Sequence, residues 1–367
     1  MRAPEARFVL PLALCVGALA LAGCPKMPRV SALDPNPSPT ATLSPSTTPS
    51  TSPSPAESPP ASDEPILREL VVGSAPRAIA MDATGNGYVT LPTDIVKITK
   101  ATGTMSEATL LNLSTVPFEF GSPSSIMLAG EAVWFTDDQR KQLREIKAGS
   151  SGQTEDFPFG SLPSRMALDI QGNVFVADAT GRQVGALPAG SLAGKALFTA
   201  ATVGQPVDIL VDVGGSVWTL GADDGDLTKI SRTIPGNTLE GLEVLPNIPP
   251  LDLTQGKGIA QDDGGNLWVT GLKASGGQLV KVDRGSGSPI ATFNLGFVPG
   301  RIAVRGNFAW IPDDSPSGTM ITKVSLTDGS VVATYPLGGR ASDVFKDAGG
   351  DLWIPVVTSN TIVKLDF

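Results

Sequence analysis

The sequence predicts an all-β fold: a seven-bladed β-propeller over residues 66–367, with an N-terminal strand at about 66–72 completing the last blade. Three observations carry this expectation. One pattern recurs seven times, marked by an aliphatic after a small or polar residue at Ile79, Ile126, Met166, Ile209, Ile259, Ile302 and Val344. These marks stand 40 to 50 residues apart, the length of one four-stranded blade. An aromatic follows each mark, at Tyr88, Trp134, Phe175, Trp218, Trp268, Trp310 and Trp353. The third observation is the strand count at the chain ends. Copies one to six each carry a fourth apolar strand, as near 108–113, 290–295 and 331–337, whereas copy seven stops at Phe367 after its third. Residues 66–72 form a strand with no blade of its own, and pairing it with the last strand closes the ring and removes a raw edge.

Within each copy the same elements follow one another. Apolar and polar residues alternate, as in 174–178 and 267–270, which is the period of a half-buried strand. A hairpin turn separates the first two strands at 82–86, 169–173, 262–266 and 347–351. Asp and Asn there satisfy local backbone donors and Gly supplies positive φ, so these acids are expected to form turns rather than hold ligands. The aromatic of the second strand is expected to pack against the neighbouring blade. The alternative, a stacking platform for ligands, has no need of seven copies. Five copies carry a Lys in the third strand, Lys97, Lys229, Lys281, Lys323 and Lys364, read as solvated residues whose stems cover apolar surface.

The chain opens with Arg2 and Arg7 and then an apolar run over 8–22, which reads as a secretion signal at residues 1–23. The run is shorter than the ~20 residues that a membrane span requires. Leu21, Ala22, Gly23 and Cys24 resemble the lipobox of bacterial lipoproteins, in which the Cys receives a diacylglyceryl group and becomes the mature N-terminus. The competing reading is a plain signal peptide with an incidental Cys. A lipidated Cys24 anchors the protein to membrane lipid, since each buried methylene contributes roughly 0.8 kcal/mol and two chains suffice for stable attachment. The expected location is the bacterial cell envelope, with the propeller extracytoplasmic. Cys15 leaves with the signal, so the mature chain has no disulfide and rests on packing alone. Residues 25–65 are dominated by Pro, Ser and Thr. Such a segment cannot bury enough apolar surface to offset its ordering entropy and is expected to be a disordered spacer reaching on the order of 100 Å.

Residues 167–184 resemble the NHL repeat. The copies opening at 76–79, 123–126 and 206–209, with Trp134, Phe135 and Thr136 in the second, resemble blades of the virginiamycin B lyase (streptogramin lyase) family. That resemblance implies a propeller fold and an eliminating enzyme that uses a His after a blade-start Pro, a Glu after the aromatic strand, and magnesium. The positions matching the His hold Arg77, Ser124, Ser164, Val207, Lys257, Gly300 and Ser342, and the chain contains no His. Those matching the Glu hold Leu91, Asp137, Asp178, Gly221, Gly271, Asp313 and Val356. A general base needs a pKa near the working pH, which Ser, Gly and Val do not provide and which a permanently charged Arg excludes. The lyase chemistry is therefore not expected here.

No Cys and His cluster, phosphate loop or nucleophile elbow is present, and no cofactor or metal is expected. The run Asp223, Asp224, Gly225, Asp226 lacks the closing Glu of a calcium loop and reads as an exposed turn. Net charge is −9, and removing Arg2, Glu5 and Arg7 with the signal takes away a net +1 and leaves −10. Nucleic acid is thus not an expected partner, because binding phosphates needs a basic surface. The leading expectation is a non-catalytic binding or scaffold protein for an unknown protein, peptide or carbohydrate, with Arg77, Asp137, Asp178, Lys257, Arg301 and Asp313 lining a mixed-charge channel mouth. The bland counterpart is that each is an ordinary solvated loop residue. The alternative function is an extracytoplasmic lyase or hydrolase using carboxylates at the mouth, with Asp137 and Asp178 as the adjacent-blade pair. A platform within an envelope assembly is a third.

Overall fold

In the computed structural model the described residues are 64–367, except 83, 100–108, 113–120, 131, 147–153, 190–196 and 235–238. The expected signal, Cys24 and nearly all of the expected spacer lie outside them. The described residues form seven antiparallel sheets of four strands, each built from consecutive strands except the last. In that sheet Ile66–Val71 pairs with Thr361–Asp366, followed by Leu352–Val356 and Phe345–Lys346. The register runs from Ile66 opposite Asp366 to Val71 opposite Thr361. The N-terminal strand therefore closes the ring as the strand count required, and Val72 N–H extends the pairing to the Asn360 carbonyl at 3.1 Å. Arg68 Nε adds an ion pair to Asp366 at 2.9 Å across the same seam.

First strands of successive blades touch one another around the ring, including that of blade seven with that of blade one. They surround the central channel, while fourth strands such as Val331–Pro336 show mostly exposed residues. Seven apolar clusters fill the seven blade interfaces. Trp218 packs with Ile259, Leu267 and Val269 of the next blade, and Trp353 packs with Ile79 and Val89 across the closure. Tyr88, Trp134, Phe175, Trp268 and Trp310 occupy the corresponding clusters. The aromatics are inter-blade core, and no stacking platform is left for a ligand at these seven places.

The turn between first and second strands follows one design in five blades. Asp82, Asp169, Asp212, Asp262 and Asp347 each accept the backbone N–H of the residue four positions on, at 2.8 to 3.0 Å. Each turn also places a Gly, at 85, 172, 215, 265 and 350, with φ between 84 and 89°, a conformation that residues with a Cβ rarely adopt. In blades four, five and seven the other carboxylate oxygen accepts the indole N–H of the following Trp, at 2.9, 2.9 and 2.8 Å. Blade two has no such Asp, and the Trp134 indole N–H is buried without a hydrogen-bond partner among the described residues.

The repeated Lys does more than cover apolar surface. Lys97, Lys229, Lys281, Lys323 and Lys364 stand directly across from the aromatic on the second strand. Their ammonium groups lie 4.9 to 5.4 Å from those ring centroids, within cation–π range. Lys323 is 4% exposed, so for that residue the solvated reading is corrected: two rings, Phe308 and Trp310, take the place of water.

Candidate functional site

Asp137 and Asp178 end the second strands Ala132–Asp137 and Val174–Asp178, and both are fully buried. Asp137 accepts the backbone N–H groups of Gly121, Ser122 and Arg140 at 3.0 to 3.1 Å. Asp178 accepts those of Ser161, Leu162 and Gly181 at 2.9 to 3.0 Å, with Gln183 Nε2 at 3.2 Å. Each carboxylate thus pins the loop that enters its own blade. Burial alone would raise both pKa values, but the converging N–H groups outweigh it and hold both below the ordinary carboxylate range. The fit leaves no spare room: a Cβ on Gly160 would sit 1.8 Å from Asp178 Oδ2. Asp313 is used similarly, accepting the Ser315 N–H at 3.0 Å within its own turn. None of these three acids contributes to a ligand-facing cluster.

The acids that meet Arg77 and Lys257 lie one residue further on. Asp138, after Asp137, faces Arg77 and Arg165 electrostatically and accepts the Ser124 hydroxyl. Burial lifts the Asp138 carboxyl above its ordinary range, Ser124 and Arg77 pull the other way, and the adjacent Asp137 charge adds to the lift. Arg77 itself donates from Nη1 to Ser122 Oγ at 2.8 Å. Asp314, after Asp313, takes Lys257 Nζ at 3.2 Å and Arg340 Nη2 at 2.8 Å. Lys257 therefore belongs to a local blade-to-blade clasp with Asp314 and Arg340.

Arg301 stands in the channel. Its Nη1 lies 2.7 Å from Asp208 Oδ1, off the direction needed for a hydrogen bond, so that contact is ionic. Nε lies 3.4 Å from Asp343 Oδ2, and Nη2 donates to the Val207 carbonyl at 2.7 Å. Asp343 also pairs with Arg165, joining blade seven to blade three across the channel. Burial and the nearby Arg165 push the Arg301 pKa down, against the pull of Asp208 and Asp343. Asp208 Oδ2 in turn accepts the Ile259 N–H at 3.0 Å and so reaches blade five. Through Asp138, Arg165 and Asp343, the two predicted cations Arg77 and Arg301 stand in one chain of alternating charge.

Arg165, Asp208, Arg301 and Asp343 share one place in the repeat, immediately before the marking aliphatic. Blades one, two and five carry Ala78, Ser125 and Gly258 there. In blades three and four a register shift falls between Pro163 and Arg165 and between Pro206 and Asp208. Such bulges re-aim a side chain at the start of a strand. Sequence reasoning singled out Arg301 here and otherwise noted this position only as small or polar. Two Arg and two Asp at equivalent places in a ring were the available signal. The four charges lie at one end of a channel cavity of about 510 Å³, whose walls continue down the first strands through Leu168, Leu210, Ala260 and Val304. Lys346 and Gln261 lie at its other end, where Lys346 Nζ donates to the Val304 carbonyl at 2.8 Å. Among the described residues no group of His, Cys, Asp and Glu could hold a metal ion. The Asp223 to Asp226 run forms a turn with Gly225 at φ 69°.

No protein-family profile matches the sequence, and no curated protein sequence matches it. Solved structures do match in three dimensions. A streptogramin B lyase aligns with TM-score 0.62 at 15% identity, over 83% of this chain and 98% of that one. A virginiamycin B lyase from Staphylococcus aureus aligns with TM-score 0.64 at 14% identity, over 82% and 99%. The WD40 propeller domain of Doa1 also aligns, with TM-score 0.58 at 11% identity, over 82% and 97%. The chain therefore has a streptogramin-lyase-like seven-bladed propeller, and at these identities the likeness concerns the fold.

Proposed function

We propose that this protein is a lipid-anchored, extracytoplasmic binding protein that captures a ligand in the propeller channel without transforming it. The observation that carries the reading is the union of a cavity of about 510 Å³ with a charge-balanced ring of two Arg and two Asp at one end. Small-molecule sites share these two features, a preformed concavity and converging polar groups. The non-catalytic part is supported by how the acids are used. Proton transfer needs a group free to exchange its proton near the working pH. Asp137 and Asp178 are instead each saturated by three backbone N–H groups, and the chain has no His.

A thermal-shift screen of amino acids, sugars and short peptides against the purified chain tests the binding. At least one class is expected to raise the melting temperature, and Arg301→Met is expected to remove that rise. A ligand whose shift survives Arg301→Met would place binding elsewhere. The anchor is tested separately by growth with labelled palmitate. Label is expected in the wild type and absent from Cys24→Ser, and equal labelling of both would exclude Cys24 as the lipid site.

A further inference from the structure

We propose that the channel cavity is a site for a free α-amino acid with an apolar side chain, its ammonium and carboxylate seated on the Arg and Asp ring. This inference rests on the channel-binding reading above and names its ligand class. The ring supplies two cations and two anions in alternating contact, Arg165 with Asp343, Asp343 with Arg301, and Arg301 with Asp208. Their side chains are 6 to 17% exposed, dry enough for a charge to be costly when unmatched yet open to the cavity they line. A lone anion or cation bound there would leave one charge in excess in a poorly solvated place. A zwitterion adds one charge of each sign and keeps the end of the channel neutral.

The donor inventory allows this. A guanidinium has five N–H donors in a fork that matches a carboxylate, and Arg165 commits only Nη2 to Asp343, with its plane 5.6 Å from the Phe345 ring centroid. Asp208 and Asp343 already accept the N–H groups of Ile209, Ile259 and Val344 besides their arginine contacts, so an ammonium takes their remaining lone pairs. Beyond the charged end the lining includes Met166, Leu168, Leu210 and Ala260, half-buried apolar residues at the channel side of the blade interfaces. A leucine or phenylalanine side chain directed that way is removed from water, at roughly 25 cal/mol per Å² of apolar surface. The cavity, about 510 Å³, lies within the ~300 to 1,000 Å³ of small-molecule sites.

Isothermal titration of the purified full chain with L-leucine and L-phenylalanine tests the proposal, with N-acetyl-leucine, leucinamide and glycine as analogues lacking one charge or the side chain. Leucine or phenylalanine is expected to bind, and each analogue to bind at least about tenfold more weakly. Arg165→Met is expected to weaken binding by a similar factor. Ala260→Phe is expected to abolish it by filling the cavity without touching a charge, with Leu210→Phe as the second filling variant should the first not fold. No binding of either amino acid at millimolar concentration would overturn the proposal. So would analogues that bind as tightly as leucine, or filling variants that bind it normally. If another ligand from the screen binds and a filling variant blocks it, the amino-acid assignment fails while channel binding stands. If the filling variants leave that ligand's binding unchanged, both fail.

Discussion

Replacing Asp178 with Ala should cost more stability than its place at a strand end suggests. The residue is fully buried and accepts three backbone N–H groups, from Ser161, Leu162 and Gly181. Removing the carboxylate strips those donors of their acceptor at once, and each buried donor left unpaired costs about 1 to 3 kcal/mol. Ser161 and Leu162 are only partly buried and Gly181 is exposed, so water recovers much of that, and a net loss of about 3 kcal/mol is expected. Asp178→Asn keeps one carbonyl oxygen but turns an NH2 toward the remaining N–H donors, for a loss of about 2 kcal/mol. Urea unfolding measures both, as a lower midpoint at unchanged slope. The pH dependence supplies a second check. The folded-state pKa of Asp178 lies below its ordinary value, so its contribution is complete above the unfolded-state value of about 4 and is lost as pH falls through the folded value. The gap between wild type and Asp178→Ala should therefore narrow under acid. A loss below about 1 kcal/mol at neutral pH, or a gap that does not change with acidification, would refute the loop-pinning role.

Three further outcomes follow from the same contacts. Deleting residues 1–72 removes the strand paired with Thr361–Asp366 and is expected to give a chain that self-associates through the exposed edge. A monomer of unchanged melting temperature on size exclusion would contradict the closure. Asp262→Ala leaves the buried Trp268 indole N–H and the Asn266 N–H without their acceptor, for an expected loss of about 2 to 3 kcal/mol in urea unfolding. Asp262→Asn should cost clearly less. Arg165→Met leaves Asp343 facing only Arg301 and should cost about 3 kcal/mol, whereas adding Asp343→Leu should recover most of it. A double variant as unstable as the sum of its singles would show that the two side chains do not act as a pair.

Much of the fold was legible because it is repeated. The aromatics, the Asp and Gly turns and the Lys across from the aromatic are imposed by packing requirements that every blade shares, so seven noisy copies reinforce one another. Closure was legible from strand counting alone, since a last blade lacking one strand and a first strand lacking a blade have one economical solution. The site was read less well. The repeat aligns Asp137 and Asp313, and the acids that meet cations, Asp138 and Asp314, follow them by one residue. Along a strand end, neighbouring residues face opposite ways, and which of two consecutive acids turns into the loop depends on where its N–H donors come from. Those donors, from 121 and 122 for Asp137, lie on a different segment that no local pattern announces.

The charged ring was hidden for the opposite reason: it is where the copies disagree. Arg165 and Asp343 touch although 178 residues separate them, and aligning the copies blurs Arg, Asp, Ser, Ala and Gly into a single polar or small column. One interruption in the ring, at Gly258, is itself set by packing. A Cβ on Gly258 would fall 2.7 Å from Arg301 Cα and 3.0 Å from the Ile302 backbone nitrogen, closer than Cβ contacts run. Blade five therefore holds no charged residue at this place, because blade six lies against its backbone. That approach leaves Arg301 able to reach past blade five to Asp208 and the Val207 carbonyl of blade four. The common frame fixes seven first strands around a channel, and the column before the marking aliphatic, which it leaves free to vary, supplies the charges that line the cavity. On the channel-binding proposal, substitution at that column changes the ligand while the blade interfaces, with their buried aromatics, stay as they are.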